Sequence, residues 1–289
     1  MDRLSTRAVS AAATAARKLG LKCSDEPEVL ADGANVMVRL APAPEVARVA
    51  TTTGRVRKPV REWLALDLEM ASFLAGRGFP VVKPSGELPP GPHEEDGLTL
   101  SFWEFVEHDR QNLASAQEAG ALLRELHAEL RGFQSSVKHA PSYTEIPRWL
   151  DQLEAWKAID PADLAMLRRG YGVELARMEA LHLPEQPLHG DAHRKNLLRT
   201  SRGLLWTDFE DACAGPIAWD VACFVRTAGE DTAAALARYG EEMAPAALEP
   251  FHAVRDLQGA VWMAILTTRF ADRKERSAEW MAMCRARYA

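Results

Sequence analysis

LHGDAHRKNLLRTSRGLLWTDFEDACAGPIAWDVA, residues 188–222, is the stretch on which the reading of the whole chain turns. Its first carboxylate, Asp191, lies between His189 and His193, and Arg194, Lys195 and Asn196 follow. A second acidic group, Asp208, Glu210 and Asp211, comes after the apolar run LLW (204–206). Two chemistries use histidines and carboxylates at such spacing: a metal cluster of the HxDxH kind, and a phosphoryl-transfer loop.

The metal-cluster reading puts His189, Asp191 and His193 at alternate positions, on one face if the segment is a strand. It needs further ligands, and His93, His108, His127, His139, His182 and His252 form no second cluster in the sequence. Gly190 inside the run favours a loop over a strand. The phosphoryl-transfer reading uses more of the residues. Such a reaction needs a carboxylate to orient or deprotonate an attacking hydroxyl, and oxygen ligands for Mg2+ bridging the phosphates. Asp191 and Asn196 stand in the D-x-x-x-x-N spacing of a kinase catalytic loop. LLWTDFE (204–210) then reads as a short strand delivering Asp208 twelve residues after Asn196. One carboxylate and one amide oxygen suit Mg2+, which takes few protein ligands beside phosphate oxygens. An Asp-Phe pair follows the strand as in kinases, with Glu210 in place of the glycine.

Outward from this stretch, the chain changes texture once. Residues 5–19 read as an amphipathic helix. ANVMVRLA (34–41) and EVARVATT (45–52), separated by the turn-rich APAP, read as a β-hairpin. VREWLALDLEMASFLAGRG (60–78) is helical, with Trp63, Leu66, Met70, Phe73 and Leu74 at three- and four-residue intervals. PVVKP and LTLSFWEFV (98–106) read as strands around the loop ELPPGPHEEDG. After Val106 the segments AQEAGALLRELHAELRGF, IPRWLDQLEAW and PADLAMLRRGYGVELARMEAL are helical, as are those beyond 230. Strand signals in this half are confined to 196–198 and 204–207. The expectation is an α+β, bilobal chain: a small antiparallel-sheet lobe over 1–106, a larger, mainly helical lobe over 107–289, and a cleft between them.

Composition narrows the function classes. The 289 residues carry 35 Lys and Arg against 41 Asp and Glu, a net charge of −6 that argues against nucleic acid as the main partner. Residues 1–106 hold 14 acids and 13 bases, and residues 107–289 hold 27 and 22, so the acidic excess follows Val106. No apolar window reaches the length of a membrane-spanning helix, and residues 1–21 lack the apolar core of a secretory signal. Cys23, Cys213, Cys223 and Cys284 are scattered without a C-x-x-C pair, which suits a reducing, cytoplasmic setting. There is no G-x-x-x-x-G-K-[ST], which excludes a P-loop enzyme, and no G-x-G-x-x-G. ADGAN (31–35) offers a single glycine.

HGDAHRKN, LLWTDFEDACAGPIAWDVA and the helix GALLRELHAEL together resemble the aminoglycoside phosphotransferase and choline kinase-like family. The resemblance implies a protein-kinase-like fold and transfer of a phosphoryl group from ATP or GTP, with Mg2+, to a small-molecule hydroxyl. It implies Asp191 as catalytic base, His189 as a brace of the loop, Asn196 and Asp208 as metal ligands, and Asp220 as a partner of the loop backbone. Arg48 stands where the family has a lysine, with Arg39 as competitor. Its expected helix partner is Glu69, ahead of Asp67 and Glu62. FWEFV (102–106) would be the hinge, with Glu104 and Val106 reading the purine edge. His193, Arg194 and Lys195 would face the transferred phosphoryl group. The acidic excess, with Glu210 and Asp211 beside the metal strand, favours a cationic acceptor such as an aminoglycoside or amino alcohol. Segments 134–165 and 255–289 are where acceptor contacts could come from, and their Trp149, Trp156, Trp262 and Trp280 read as core residues first and pocket lining second. The competing readings are a kinase-like binding module without catalysis and a metal-dependent hydrolase.

Overall fold

The structure, a computed structural model, describes residues 2–135, 139–240 and 245–289. Helix α1 (Arg3–Lys18) starts at Asp2, whose side chain accepts the Ser5 N–H at 2.7 Å. Strands β1 (Glu28–Asp32), β2 (Asn35–Arg39) and β3 (Glu45–Ala50) lead to the short helix α2 (Thr52–Val56) and the long helix α3 (Val60–Gly76). Strands β4 (His93–Glu95) and β5 (Leu98–Glu104) follow. The five strands form one antiparallel sheet in the order β1-β2-β3-β5-β4.

The two-residue period of the strands gives this sheet two different faces. Val36 and Val38 of β2, Ala47 and Val49 of β3, and Leu98, Leu100 and Phe102 of β5 pack with Ala8, Ala11, Ala12, Ala15 and Ala16 of α1. Small side chains along one stripe of α1 let it lie close to the strands. The intervening positions, Met37, Val46, Arg48 and Trp103, face the other way and line a cavity. The register sets Arg48 opposite Met37 on one side and Ser101 on the other.

Beyond β5 come helices α4 (Ala116–Leu130), α5 (Ile146–Ala155) and α6 (Pro161–Glu179), then strands β6 (Glu185–Leu188), β7 (Leu197–Thr200), β8 (Gly203–Trp206) and β9 (Cys213–Pro216). Helices α7 (Ile217–Ala228), α8 (Thr232–Tyr239), α9 (Pro245–Thr267) and α10 (Lys274–Tyr288) complete the chain. Ser115 and Glu118 cap α4 reciprocally: the Ser115 hydroxyl accepts the Glu118 N–H and the Glu118 carboxylate accepts the Ser115 N–H.

A single boundary after Val106 does not describe the compact units. The first comprises Met1–Ala114, Gly132–Val137 and Lys195–Ala212, and the second Ser115–Arg131, Lys138–Arg194 and Cys213–Ala289. The β7–β8 hairpin joins the first unit because Trp206 pairs with the segment after α3: Val82 N–H donates to Trp206 O at 2.8 Å and Trp206 N–H to Pro80 O at 2.9 Å. PVVKP is therefore no full strand of the sheet but makes isolated bridges, Val81 to Trp206 of β8 and Pro84 to Trp103 of β5. Strands β1, β4, β6 and β9 were not expected from the sequence. Each is five residues or fewer, and Pro187 and Pro216 sit inside the β6–β9 pair. Among the described residues no helix is long and apolar enough to cross a membrane.

In the second unit, α4 and α8 approach closely at Gly120. A Cβ there would stand 2.5 Å from the carbonyl oxygen of Ala235, a backbone atom that has no room to yield. Gly172, in α6, has nothing within 4 Å of the same position. In an open helix Gly→Ala gains roughly 0.5–1 kcal/mol, whereas overpacking costs about 1–3 kcal/mol. Chemical denaturation is expected to show Gly120→Ala destabilised and Gly172→Ala stabilised, with opposite signs.

Candidate active site

In the first unit, β3 delivers Arg48 to the cavity face of the sheet, where it is 7% exposed. Its Nη1 donates to Asp67 Oδ2 at 3.0 Å, and its Nη2 donates to both Asp208 and Glu210. Burial alone would lower the guanidinium's pKa, but Asp208, Glu210 and Asp67 carry it well above its ordinary value. Asp67 is fully buried. Desolvation pushes its carboxyl up to about 7, against the pull of Arg48 and with Asp208 and Glu210 adding to the rise.

The helix partner of Arg48 is thus Asp67 and not Glu69. Two residues along a helix is a rotation of about 200°, so Glu69 looks away from Asp67. Glu69 is exposed and accepts a hydrogen bond from the Ser135 hydroxyl. Arg39 is spent on the β2–β3 turn, donating to Ala43 O and, at 3.1 Å, to Glu45 O while its guanidinium lies 3.9 Å above the Phe105 ring.

Glu210, unremarked in the sequence as a structural group, is 5% exposed and accepts from Asn35, Arg48 and Arg57. Arg57 also pairs with Asp211 and stacks 4.2 Å over Trp63. Glu210 and Asp211 are therefore matched by cations of their own unit. These two acids, so paired, give no preference for a cationic acceptor.

The cavity holds about 370 Å³. Arg48, Glu104, Val106, Asn196 and Asp208 all line it, with apolar walls from Met37, Val46, Val82 and Leu198. Asn196 and Asp208 meet because β7 and β8 pair Leu197 with Trp206, which leaves the two polar residues just beyond one end of the hairpin. The Thr207 N–H donates to Asn196 O at 3.0 Å and seals that end. Asp208 has φ +68°, a left-handed conformation uncommon outside glycine that Asp adopts more readily than most residues. Along residues 104–106, Glu104 N–H donates to Lys83 O at 3.0 Å, Phe105 N–H donates to Pro44 O at 2.8 Å, and the His108 ring reaches Val106 O at 2.9 Å. The carboxylate of Asp208 and the amide oxygen of Asn196 are a fitting oxygen-donor set for Mg2+.

The loop His189-Gly190-Asp191 belongs to the second unit. Gly190 has φ +84°, which breaks the alternation a strand would impose. His189 is fully buried, and its Nδ1 accepts the Asp191 N–H at 3.3 Å, while Asp191 and His193 remain partly exposed. The three do not form a cluster: among the described residues no group of three or more His, Cys, Asp or Glu is arranged to hold a metal ion. Beneath the loop, Asp220 of α7 is fully buried and accepts the N–H of His189 at 2.9 Å and of Gly190 at 2.8 Å. His127 of α4 adds a contact to Asp220 Oδ2 at 3.1 Å and meets the Tyr239 hydroxyl at 2.7 Å through its other nitrogen. Burial works to raise the Asp220 pKa, but the His127 hydrogen bond and the surrounding positive groups hold it below its ordinary value.

His193 Nε2 lies 3.3 Å from Asp191 Oδ2, whereas Arg194 is turned to the end of α7, its N–H and Nη1 on Thr227 at 3.5 and 3.4 Å. Of the aromatics in the segments 134–165 and 255–289, Trp149 is buried against Trp262 with centroids 5.2 Å apart, the core contact favoured for it, and Trp280 stacks on Arg226. Residues 136–138 of the segment 134–165 lie outside the described residues.

No curated protein matches the sequence. Among solved structures, the chain is similar to amicoumacin kinase hAmiN in complex with AMP-PNP, Ca2+ and Ami, at 15% identity and a TM-score of 0.71 over 95% of this chain and 92% of that one. It is similar to choline kinase LicA of Streptococcus pneumoniae at 14% identity and a TM-score of 0.66, over 93% and 98% of the two chains. The GDP complex of aminoglycoside 2'-phosphotransferase-IIIa gives 14% identity and a TM-score of 0.63, over 98% and 99%. At these identities the likeness is one of fold, the protein-kinase-like α+β architecture. Residues 30–253, well over half of the sequence, match the family described as the phosphotransferase enzyme family, and the chain belongs to it.

Proposed function

We propose that the protein transfers the γ-phosphoryl group of a nucleoside triphosphate to a hydroxyl of a small molecule. The observation that carries this reading is the cavity of the first unit, whose wall combines the hinge residues Glu104 and Val106, the buried cation Arg48, and the oxygen donors Asn196 and Asp208. A mostly apolar cavity suits a purine, a guanidinium suits phosphate oxygens, and a carboxylate with an amide oxygen suits a phosphate-bound metal. Asn196 and Asp208 would hold Mg2+, which would supply positive charge against that developing in transfer.

In this reading Asp191 orients the acceptor hydroxyl and takes its proton as the new O–P bond forms and the bond from the γ-phosphorus to the departing nucleoside diphosphate breaks. His189, buried beside it, holds the loop and is a positioning residue. The hinge groups of Glu104 and Val106 contact the base, and Arg48 holds phosphate oxygens with Asp67 behind it. The similar structures named for choline, amicoumacin and aminoglycoside substrates support amino-bearing alcohols as the first acceptors to try. Their AMP-PNP and GDP complexes support ATP and GTP as donors.

The direct test is nucleotide consumption with ATP or GTP, Mg2+ and a panel of kanamycin, choline, ethanolamine and 1-amino-2-propanol. Transfer to one of these is expected. Nucleotide binding without turnover on a wide hydroxyl panel would favour a binding module instead.

Asp191→Asn is expected to lower kcat by roughly 10²–10⁴-fold, the usual contribution of a general base, while nucleotide affinity stays within about twofold. Asp208→Asn should abolish the dependence of nucleotide binding on Mg2+, read by calorimetry with and without chelator. Wild-type turnover in Asp191→Asn would remove the base assignment.

The two carboxylates of α3 should separate cleanly. Asp67→Asn leaves Arg48 short of one buried anion, and a loss of about 1–3 kcal/mol in stability with about tenfold weaker nucleotide binding is expected. Glu69→Gln, at the surface, should change neither by a measurable amount.

A further inference from the structure

Asp191 is reached by two side chains from helices far along the chain that neither spacing nor charge marked out. Arg255 of α9 is 6% exposed, and its Nη2 donates to Gly190 O at 2.6 Å and to Trp219 O at 3.4 Å. Its Nη1 points at Asp191 Oδ1 at 3.4 Å and at Gln258 Oε1 at 3.3 Å. The guanidinium lies 3.5 Å from the centre of the Trp219 ring, whose own Nε1 donates to Gly190 O at 3.0 Å. Cys223 of α7 is the second: its thiol donates to the same Asp191 Oδ1 at 3.2 Å. Burial, opposed by Arg255 and reinforced by Asp191, pushes this thiol well up, so it stays a donor.

Burying a guanidinium is costly, and a role in packing alone would be served as well by an apolar side chain. The geometry offers a better account. The Gly190 peptide is fixed on both sides, its N–H by Asp220 and its C=O by Trp219 and Arg255. The same guanidinium then extends to the carboxylate of the next residue. One rigid fork thus ties backbone and side chain of the loop together, which a lysine ammonium, a single point donor group, does not do. Gln258 is in turn held by Ser142, to which its Nε2 donates at 2.7 Å, so the fork has its own support.

We propose that Arg255 and Cys223 are positioning residues that hold Oδ1 of Asp191, and so set the direction in which its carboxylate meets the acceptor hydroxyl. This rests on the reading of Asp191 as the base. Neither residue lines the cavity of the first unit, so their loss is felt in turnover and not in nucleotide binding.

Arg255→Met, Arg255→Lys and Cys223→Ala are compared by steady-state kinetics with ATP and Mg2+, using the panel compound of highest turnover, or water as acceptor if none turns over. Arg255→Met is expected to lower kcat about 10²-fold, the scale set by a misplaced catalytic group, and Arg255→Lys nearly as much. Cys223→Ala should lose about threefold to tenfold, as expected when one of two tethers is removed. Nucleotide KM and the thermal upshift produced by ADP should stay within about twofold of wild type in all three. In an Asp191→Asn background Arg255→Met should cost less than about twofold more, because residues acting as a unit are non-additive. A lowered melting temperature with wild-type kcat in Arg255→Met would overturn the proposal, as would full turnover in Arg255→Lys or an undiminished loss in the Asp191→Asn background. If Arg255→Met does not fold, unchanged kcat in Cys223→Ala overturns it. Wild-type turnover in Asp191→Asn alone would remove the base reading itself, an outcome distinct from all of these.

Discussion

A carboxylate sealed from water must be given donors, and Asp220 shows what a fold can build from that demand. Its two oxygens take the N–H groups of His189 and Gly190 and the ring of His127. Those partners come from the end of β6 and from α4, and His127 carries the chain of contacts on to Tyr239 at the end of α8. One buried charge therefore sets the position of a loop and of three helices in the second unit. Each unpaired member would cost as much as the interaction it makes, so the arrangement holds as a whole or not at all.

The first unit solves a related problem with the opposite sign in excess. Asp67, Asp208, Glu210 and Asp211 share the guanidinium groups of Arg48 and Arg57. Negative charge is left over, and together with burial it drives the Asp67 carboxyl up to about 7. Such a cluster is poised for positive charge beside Asp208 while Arg48 remains anchored through two other carboxylates. An arginine in this place has two terminal nitrogens to distribute between Asp67 and Glu210, which a lysine lacks.

Local features of the site were legible because they are set by spacing. D-x-x-x-x-N, the strand before Asp208 and the two-residue period that turns Arg48 inward all act within a few residues. Asn196 and Asp208 do line one cavity. The choice between Asp67 and Glu69 was also written in α3, but in its phase: Asp67 falls within the stripe of Trp63, Leu66, Met70 and Leu74, and Glu69 falls outside it. A carboxylate inside an apolar stripe is the signal that was available. Arg57, Arg255, Cys223 and the counter-ions of Glu210 are another matter. Their partners lie 32 to 162 residues away, and only the packed chain reveals them. Short edge strands such as β4 and β6 have too few residues to show a period.

The split of the first unit along the chain bears on how it comes into being. Trp206, wholly buried, gives both its backbone groups to Pro80 and Val82, yet it is made more than a hundred residues after them. During synthesis the sheet of the first unit is in hand early, but Asn196, Leu198 and Asp208, which line its cavity, are not yet made. Until Trp206 follows, the Pro80 carbonyl and the Val82 N–H that it will pair with stay open to water.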